Sequence, residues 1–152
     1  MFEVLSDPAI YEFENEPPES QEWLEERFRK LEARHSPDGR EQWLNWVVRL
    51  PSGQLAGYVQ ATLLPQGTAY VAYELASRWW RQGIGSAAVA AVIQELATTY
   101  RAAACVAVFK ASNYRSQALL RHLAFAPAAP AGVSPVEVEA DELVMYKHLP
   151  SR

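Results

Sequence analysis

Residues 72–86 read Ala72-Tyr73-Glu74-Leu75-Ala76-Ser77-Arg78-Trp79-Trp80-Arg81-Gln82-Gly83-Ile84-Gly85-Ser86. The aromatic-rich run from Thr68 to Leu75 reads as a strand. From Gly85 to Tyr100 the apolar period changes, and Ala88, Val89, Val92, Ile93 and Leu96 recur at helical spacing. The stretch is therefore a strand, a turn holding Gly83-Ile84-Gly85, and a helix. A helix start left free in this way points backbone N–H groups at whatever lies beyond the strand end. Such a site favours anions, phosphates above all.

The same reasoning extends in both directions. Upstream, Ser20 opens a helix that carries Leu24, Phe28 and Leu31 on one face and stops near His35-Ser36-Pro37-Asp38-Gly39. Leu44 to Leu50 and Leu55 to Leu64 alternate as strands around the Pro51-Ser52-Gly53-Gln54 turn and form a hairpin. Downstream, Ala103 to Phe109 is a buried strand, and Ser112 or Asn113 opens a helix through Leu123. The prolines and alanines of Ala126 to Pro135 form a surface loop, followed by strands over Val136 to Glu139 and Leu143 to Leu149. The order α-βββ-α-β-α-ββ predicts an α/β protein with a mixed sheet.

The 152 residues suit one domain over 1–152. A net charge of -4 gives no bulk basic signature for nucleic acid, and an acidic balance would favour a cationic substrate. Cys105 is the only cysteine, so no internal disulfide is possible and a reducing, cytoplasmic setting is expected. Met1 to Glu14 does not read as a signal peptide, and no apolar run reaches membrane-spanning length. His35, His122 and His148 lack metal spacing and are expected at the surface, so no metal site is expected. Trp23, Trp43 and Trp46 are expected in the core, with one of them available to line an acceptor pocket.

Three readings compete for the glycine turn. Gly83-x-Gly85-x-x-Ala88 formally fits a dinucleotide fingerprint, but no acid stands between Arg101 and Lys110, where that fold needs one. A P-loop fails because no Gly-Lys-Ser/Thr follows. The third reading is a coenzyme A pyrophosphate turn. Tyr73, Leu75, Trp80 and Gly83 resemble the motif of the GNAT N-acetyltransferases, and more narrowly that of the ribosomal-protein-alanine (RimJ/RimL-like) acetyltransferases. A second block agrees: Asn113-Tyr114-Arg115-Ser116 followed by Leu123-Ala124-Phe125 resembles that group's asparagine-x-x-serine and leucine-glycine-phenylalanine.

The resemblance implies a GNAT fold, a mixed, mostly antiparallel sheet of about six strands flanked by helices. It implies acetyl-CoA as co-substrate and a primary amine as acceptor, attacked directly without metal. Pantetheine would pair with Leu75 and Ala76. The pyrophosphate would lie on Arg81, Gln82, Gly83, Ile84, Gly85 and Ser86, and Asn113 would face the pantetheine or adenosine. Ser116 would lie near the thiol. The family's glutamate base and tyrosine acid fall on Ala69 and Leu120, so both are replaced. Glu74 is the nearest carboxylate, with Glu137, Glu139 and Glu142 as alternatives. These losses favour an α-amine, with a pKa near about 8, over a lysine side chain. They also keep open a coenzyme A-binding module without catalysis. Relatives begin with a strand that Met1 to Leu5 does not resemble, so the first strand is expected to be missing or replaced, with a partner subunit over the edge.

Overall fold

The computed structural model describes residues 1–127 and 138–150. Its elements are α1 (Phe2–Leu5), a 3₁₀ turn (Pro8–Tyr11), α2 (Gln21–Leu31), β1 (Gln42–Arg49), β2 (Leu55–Leu63) and β3 (Thr68–Leu75), then a second 3₁₀ turn (Ser77–Trp79), α3 (Ile84–Thr98), β4 (Ala104–Lys110), α4 (Tyr114–His122), β5 (Ala126–Pro127) and β6 (Glu142–His148). The strands form one six-stranded sheet in the order β1-β2-β3-β4-β6-β5. All neighbours are antiparallel except β3 and β4, which run parallel and pair only over Thr68–Tyr70 with Ala104–Val106. Beyond that short register the two strands diverge, and the wedge between them is the main opening of the fold.

Side-chain alternation divides the sheet into two faces. Leu44, Val59, Ala61, Val71, Cys105, Phe109 and Met145 turn to one face and pack with Val89, Ile93 and Leu96 of α3 and Leu120 of α4. The opposite face carries a second, smaller cluster near the ends of β2 and β3. There Val4, Leu5, Leu24 and Ala76 are buried against Phe28, Tyr58 and Trp79. Ser20 caps α2 by accepting a hydrogen bond from the Trp23 N–H at 3.0 Å, as its position before an amphipathic run dictates. Cys105 is fully buried, and burial pushes its thiol up to about 12, which leaves it an inert core residue.

As expected, Met1 to Leu5 gives no first strand; Phe2–Leu5 is a helix turn, and β1 stands at the sheet edge with Val47 58% exposed. Three other expectations change. The strand expected over Val136 to Glu139 is not found: Val138 and Glu139 are described and lie in no strand, whereas Val136 and Glu137 fall outside the described residues. The fifth strand is Ala126–Pro127, the first two residues of the expected loop, and Pro127 is tolerated there because the strand is on the edge. Trp23 is not a core residue but is 42% exposed on α2. The three histidines are exposed, as expected.

Candidate active site

The wedge between β3 and β4 opens into two clefts. One, of about 440 Å³, lies between the turn after β3 and the start of α4; Leu75, Trp80, Arg81, Gly83, Gly85, Ser86, Asn113 and Ser116 are among its lining. The other, of about 1090 Å³, lies under α2 on the opposite sheet face and includes Trp23, Trp43, Trp46, Tyr58 and Arg27. Glu14, Asn15, Ala72, Tyr73, Glu74 and Val108 line both, so the clefts meet beside Glu74.

The smaller cleft ends on the turn. Gly83 is the N-cap of α3 at φ +79°, with no side chain capping the helix. The first-turn N–H groups therefore remain free to meet an anion. Arg81 also sits at positive φ, +60°, a costly backbone for a residue with a Cβ, and its side chain is exposed. Gln82 points away and donates to the Arg78 carbonyl at 2.9 Å. Gln82, Ile84 and Ala76 do not line this cleft.

The end of β3 determines which N–H groups face the wedge. Ala76 N–H donates to the Ala56 carbonyl at 2.9 Å and is thereby spent. Because residues 76 and 56 form the hydrogen-bonded pair, the next pair, Leu75 with Gly57, is not hydrogen-bonded, and the Leu75 N–H and C=O point away from β2. The Leu75 carbonyl accepts from the Trp80 indole at 2.8 Å. The Leu75 N–H faces the wedge, where β4 has already diverged. Gly57 makes this arrangement possible, since a Cβ there would lie 2.0 Å from the Glu74 carbonyl oxygen.

Glu74 stands at the junction opposite Tyr58, its cross-strand partner. Burial pushes its carboxyl above the usual range, against the opposing effect of hydrogen bonds from the Tyr58 and Tyr11 hydroxyls and the charge of Arg27. The Tyr11 contact is 3.4 Å, and the same hydroxyl donates to the Leu5 carbonyl at 2.6 Å. One phenolic proton serves two acceptors, so Tyr11 compensates Glu74 only weakly. On the other side of the wedge the Tyr73 hydroxyl donates to Ser116 Oγ at 3.1 Å. Burial pushes the Tyr73 hydroxyl up to about 12.

An N-terminal strap crosses the mouth of the wedge. Glu12 pairs with Arg115 at 2.7 Å, Phe13 meets Tyr114 edge-on at 5.4 Å, and Glu14 Oε2 accepts from Asn113 Nδ2 at 2.9 Å and from the Lys110 N–H at 3.2 Å. Three consecutive strap residues thus engage three consecutive residues of the α4 start in reverse order. Arg115 also lies over Trp80 at 4.4 Å, which ties the strap to the glycine turn. Asn113 Oδ1 caps α4 by accepting from the Ser116 N–H at 3.1 Å, so both ends of its amide are engaged. Farther back, Asp7 accepts from the Ser77 N–H at 2.7 Å and the Ser77 hydroxyl at 2.6 Å, fixing the exit of β3. Burial of Asp7 works the other way, but these bonds and that from Ala9 hold its carboxyl below its ordinary value.

The sequence-derived donor and catalytic residues thus divide. Leu75, Arg81, Gly83, Gly85, Ser86, Asn113, Glu74 and Ser116 gather at the two clefts; Ala76, Gln82 and Ile84 do not line the smaller one. Glu139 and Lys110 form a surface pair, and Glu142 is among the lining of the larger cleft. Tyr11, Tyr58 and Glu14 were not singled out by sequence reasoning, and Tyr73 was named only as a motif residue, with no role. The first three come together through chain reversals that no local pattern encodes. Among the described residues, no group of three His, Cys, Asp or Glu is placed to hold a metal ion, and no helix is long and apolar enough to cross a membrane.

A family model described as an acetyltransferase (GNAT) domain matches residues 1–126. The chain belongs to the GNAT acetyltransferases. It is an acyl-CoA-dependent N-acetyltransferase by family. Solved GNAT structures share its fold. Spermidine N-acetyltransferase from Vibrio cholerae, in complex with CoA and spermine, is 17% identical, with 97% of this chain and 86% of that one covered at a TM-score of 0.73. A ribosomal-protein alanine acetyltransferase from Vibrio fischeri is 18% identical over 96% and 87%, with a TM-score of 0.69. A phosphinothricin acetyltransferase from Sinorhizobium meliloti, in complex with AcCoA, is 19% identical over 97% and 80%, with a TM-score of 0.69. At these identities the likeness is one of fold. No curated protein matches the GNAT chain by sequence search.

Proposed function

We propose that the chain transfers an acetyl group from acetyl-CoA to a primary amine by direct attack, with the smaller cleft holding the donor and the larger cleft the acceptor. The observation that carries this is the meeting of the two clefts at Glu74, one ending on an uncapped helix start and the other rich in aromatic side chains. The first-turn N–H groups of α3 and the charge of Arg81 receive the pyrophosphate. Pantetheine lies in the wedge along β3, and Asn113 and Ser116 border it.

The reaction has three demands. The amine must lose a proton, the thioester carbonyl oxygen must be stabilised as charge develops, and the sulfur must leave as thiolate. Glu74 accepts the proton that frees the amine lone pair, its raised affinity for protons bringing it closer to the amine's own, and the second N–H proton, shed as the amide forms, goes to the departing thiolate to give the thiol. The Leu75 N–H receives the oxyanion. As the C–N bond forms and the C–S bond breaks, the Ser116 hydroxyl donates a hydrogen bond to the sulfur while accepting one from Tyr73. This pair takes over from the tyrosine whose expected position is Leu120, a fully buried core residue. The acceptor is a protein N-terminal α-amine, as in the RimJ/RimL-like group, or a small-molecule amine.

The test is a coupled assay with acetyl-CoA and a panel of primary amines, following thiol release and the mass of the acceptor. Thiol release in step with gain of one acetyl group is expected. Tight binding of acetyl-CoA with no acetylated product from any amine contradicts the reading.

A further inference from the structure

Glu14 is the second carboxylate at the junction, and it reaches it from a different element than Glu74. It lies on the strap, half-buried, and borders both clefts. Its two oxygens have different surroundings. Oε2 takes both hydrogen bonds, from the α4 N-cap side chain and from the last N–H of β4. Among the described residues, Oε1 accepts none. The carboxylate is therefore fixed in position by one oxygen and retains acceptor capacity on the other. Asn15 follows at φ +65°, which turns the chain sharply as it leaves the wedge and keeps Glu14 at its mouth.

A carboxylate needed only to hold α4 would be met by any anion at that helix start. This one also adds a negative charge beside Glu74, at the place where an amine must approach the thioester. An ammonium arriving through the aromatic cleft would meet two carboxylates. One is clamped by phenols, and the other is held on an amide and a backbone N–H.

Given the amine-acetylating activity proposed above, on which the assignment rests, we propose that Glu14 is a specificity-determining residue that positions the acceptor by taking a hydrogen bond from its ammonium group on Oε1. Glu74 then removes the proton. Glu14 itself moves no proton. The division of labour separates binding from chemistry: Glu14 acts on how well the charged amine is held, and Glu74 on how fast it reacts.

The experiment compares wild type with Glu14→Gln, whose side-chain carbonyl can still accept from Asn113 and Lys110. The KM for the amine should rise about tenfold or more, the scale expected when a hydrogen bond to a charged partner is lost. The KM for acetyl-CoA and kcat should stay near wild type. Glu14→Asp, which keeps the charge, should lie nearer wild type. A competitive inhibitor carrying a methyl group in place of the amine should bind wild type and Glu14→Gln equally. An unchanged amine KM overturns the assignment, as does equal weakening of the methyl inhibitor, which would mark a purely structural role. Wild-type protein that acetylates no amine overturns the activity itself, and with it this role.

Discussion

Glu74 is a carboxylate set between two phenols. Tyr58 faces it across the β2–β3 register, and Tyr11 reaches it from the 3₁₀ turn after α1. Burial raises its affinity for protons. A general base works only when ionised, so activity should fall as pH drops through this raised value. The acid limb of the kcat/KM profile should therefore lie above the ordinary glutamate range, which centres near about 4.3. Glu74→Gln should lower kcat by roughly a hundredfold or more, the scale of general-base catalysis, and erase that limb. A variant with the same limb as wild type would move the base elsewhere. The position was legible in the sequence as a carboxylate beside the turn. Its environment was not, because Tyr11 lies 63 residues away and reaches Glu74 only through the fold of the N-terminal segment.

At the scale of elements, the strand-turn-helix unit from β3 to α3 was the most legible part of the chain. The change from a strand to a helical period fixes its two ends, and Gly83 and Gly85 mark the turn. The structure adds that Gly83 adopts φ +79° with open space around its missing Cβ. Replacement by alanine therefore acts through the backbone rather than through a clash. Gly83→Ala should cost roughly 1–2 kcal/mol of stability, measured by denaturant unfolding. It should also raise the KM for acetyl-CoA more than that for the amine. A selective effect on the amine instead would place the donor somewhere other than the turn. The C-terminal elements were less legible. Pro127 argues against a strand, yet an edge position removes the objection, and whether a two-residue strand sits at an edge depends on β6. The strap was invisible for a related reason. Glu12, Phe13 and Glu14 form no periodic pattern, and their partners are the first turn of α4.

Across the whole molecule, one device organises the site. Two parallel strands pair over three residues and then part, and Glu74, Leu75, Asn113 and Ser116 of the candidate site line the clefts that open from the gap. The α3–α4 side closes it with the glycine turn, Asn113 and Ser116. The α1–α2 side closes it with tyrosines and tryptophans. The strap crosses between them. On the proposed reading, the donor's adenosine diphosphate end lies on the turn and its thioester end at the junction at Glu74. The claim is tested most directly by comparing acetyl-CoA with acetyl-pantetheine, which keeps the thioester and lacks the pyrophosphate, as donors to one amine. If the glycine turn holds the pyrophosphate, acetyl-pantetheine should show a KM at least about a hundredfold higher, the scale of several lost charge-assisted hydrogen bonds. Gly83→Ala should then raise the KM of acetyl-CoA and leave that of acetyl-pantetheine unchanged. Equal KM values for the two donors in the wild-type protein would contradict the account.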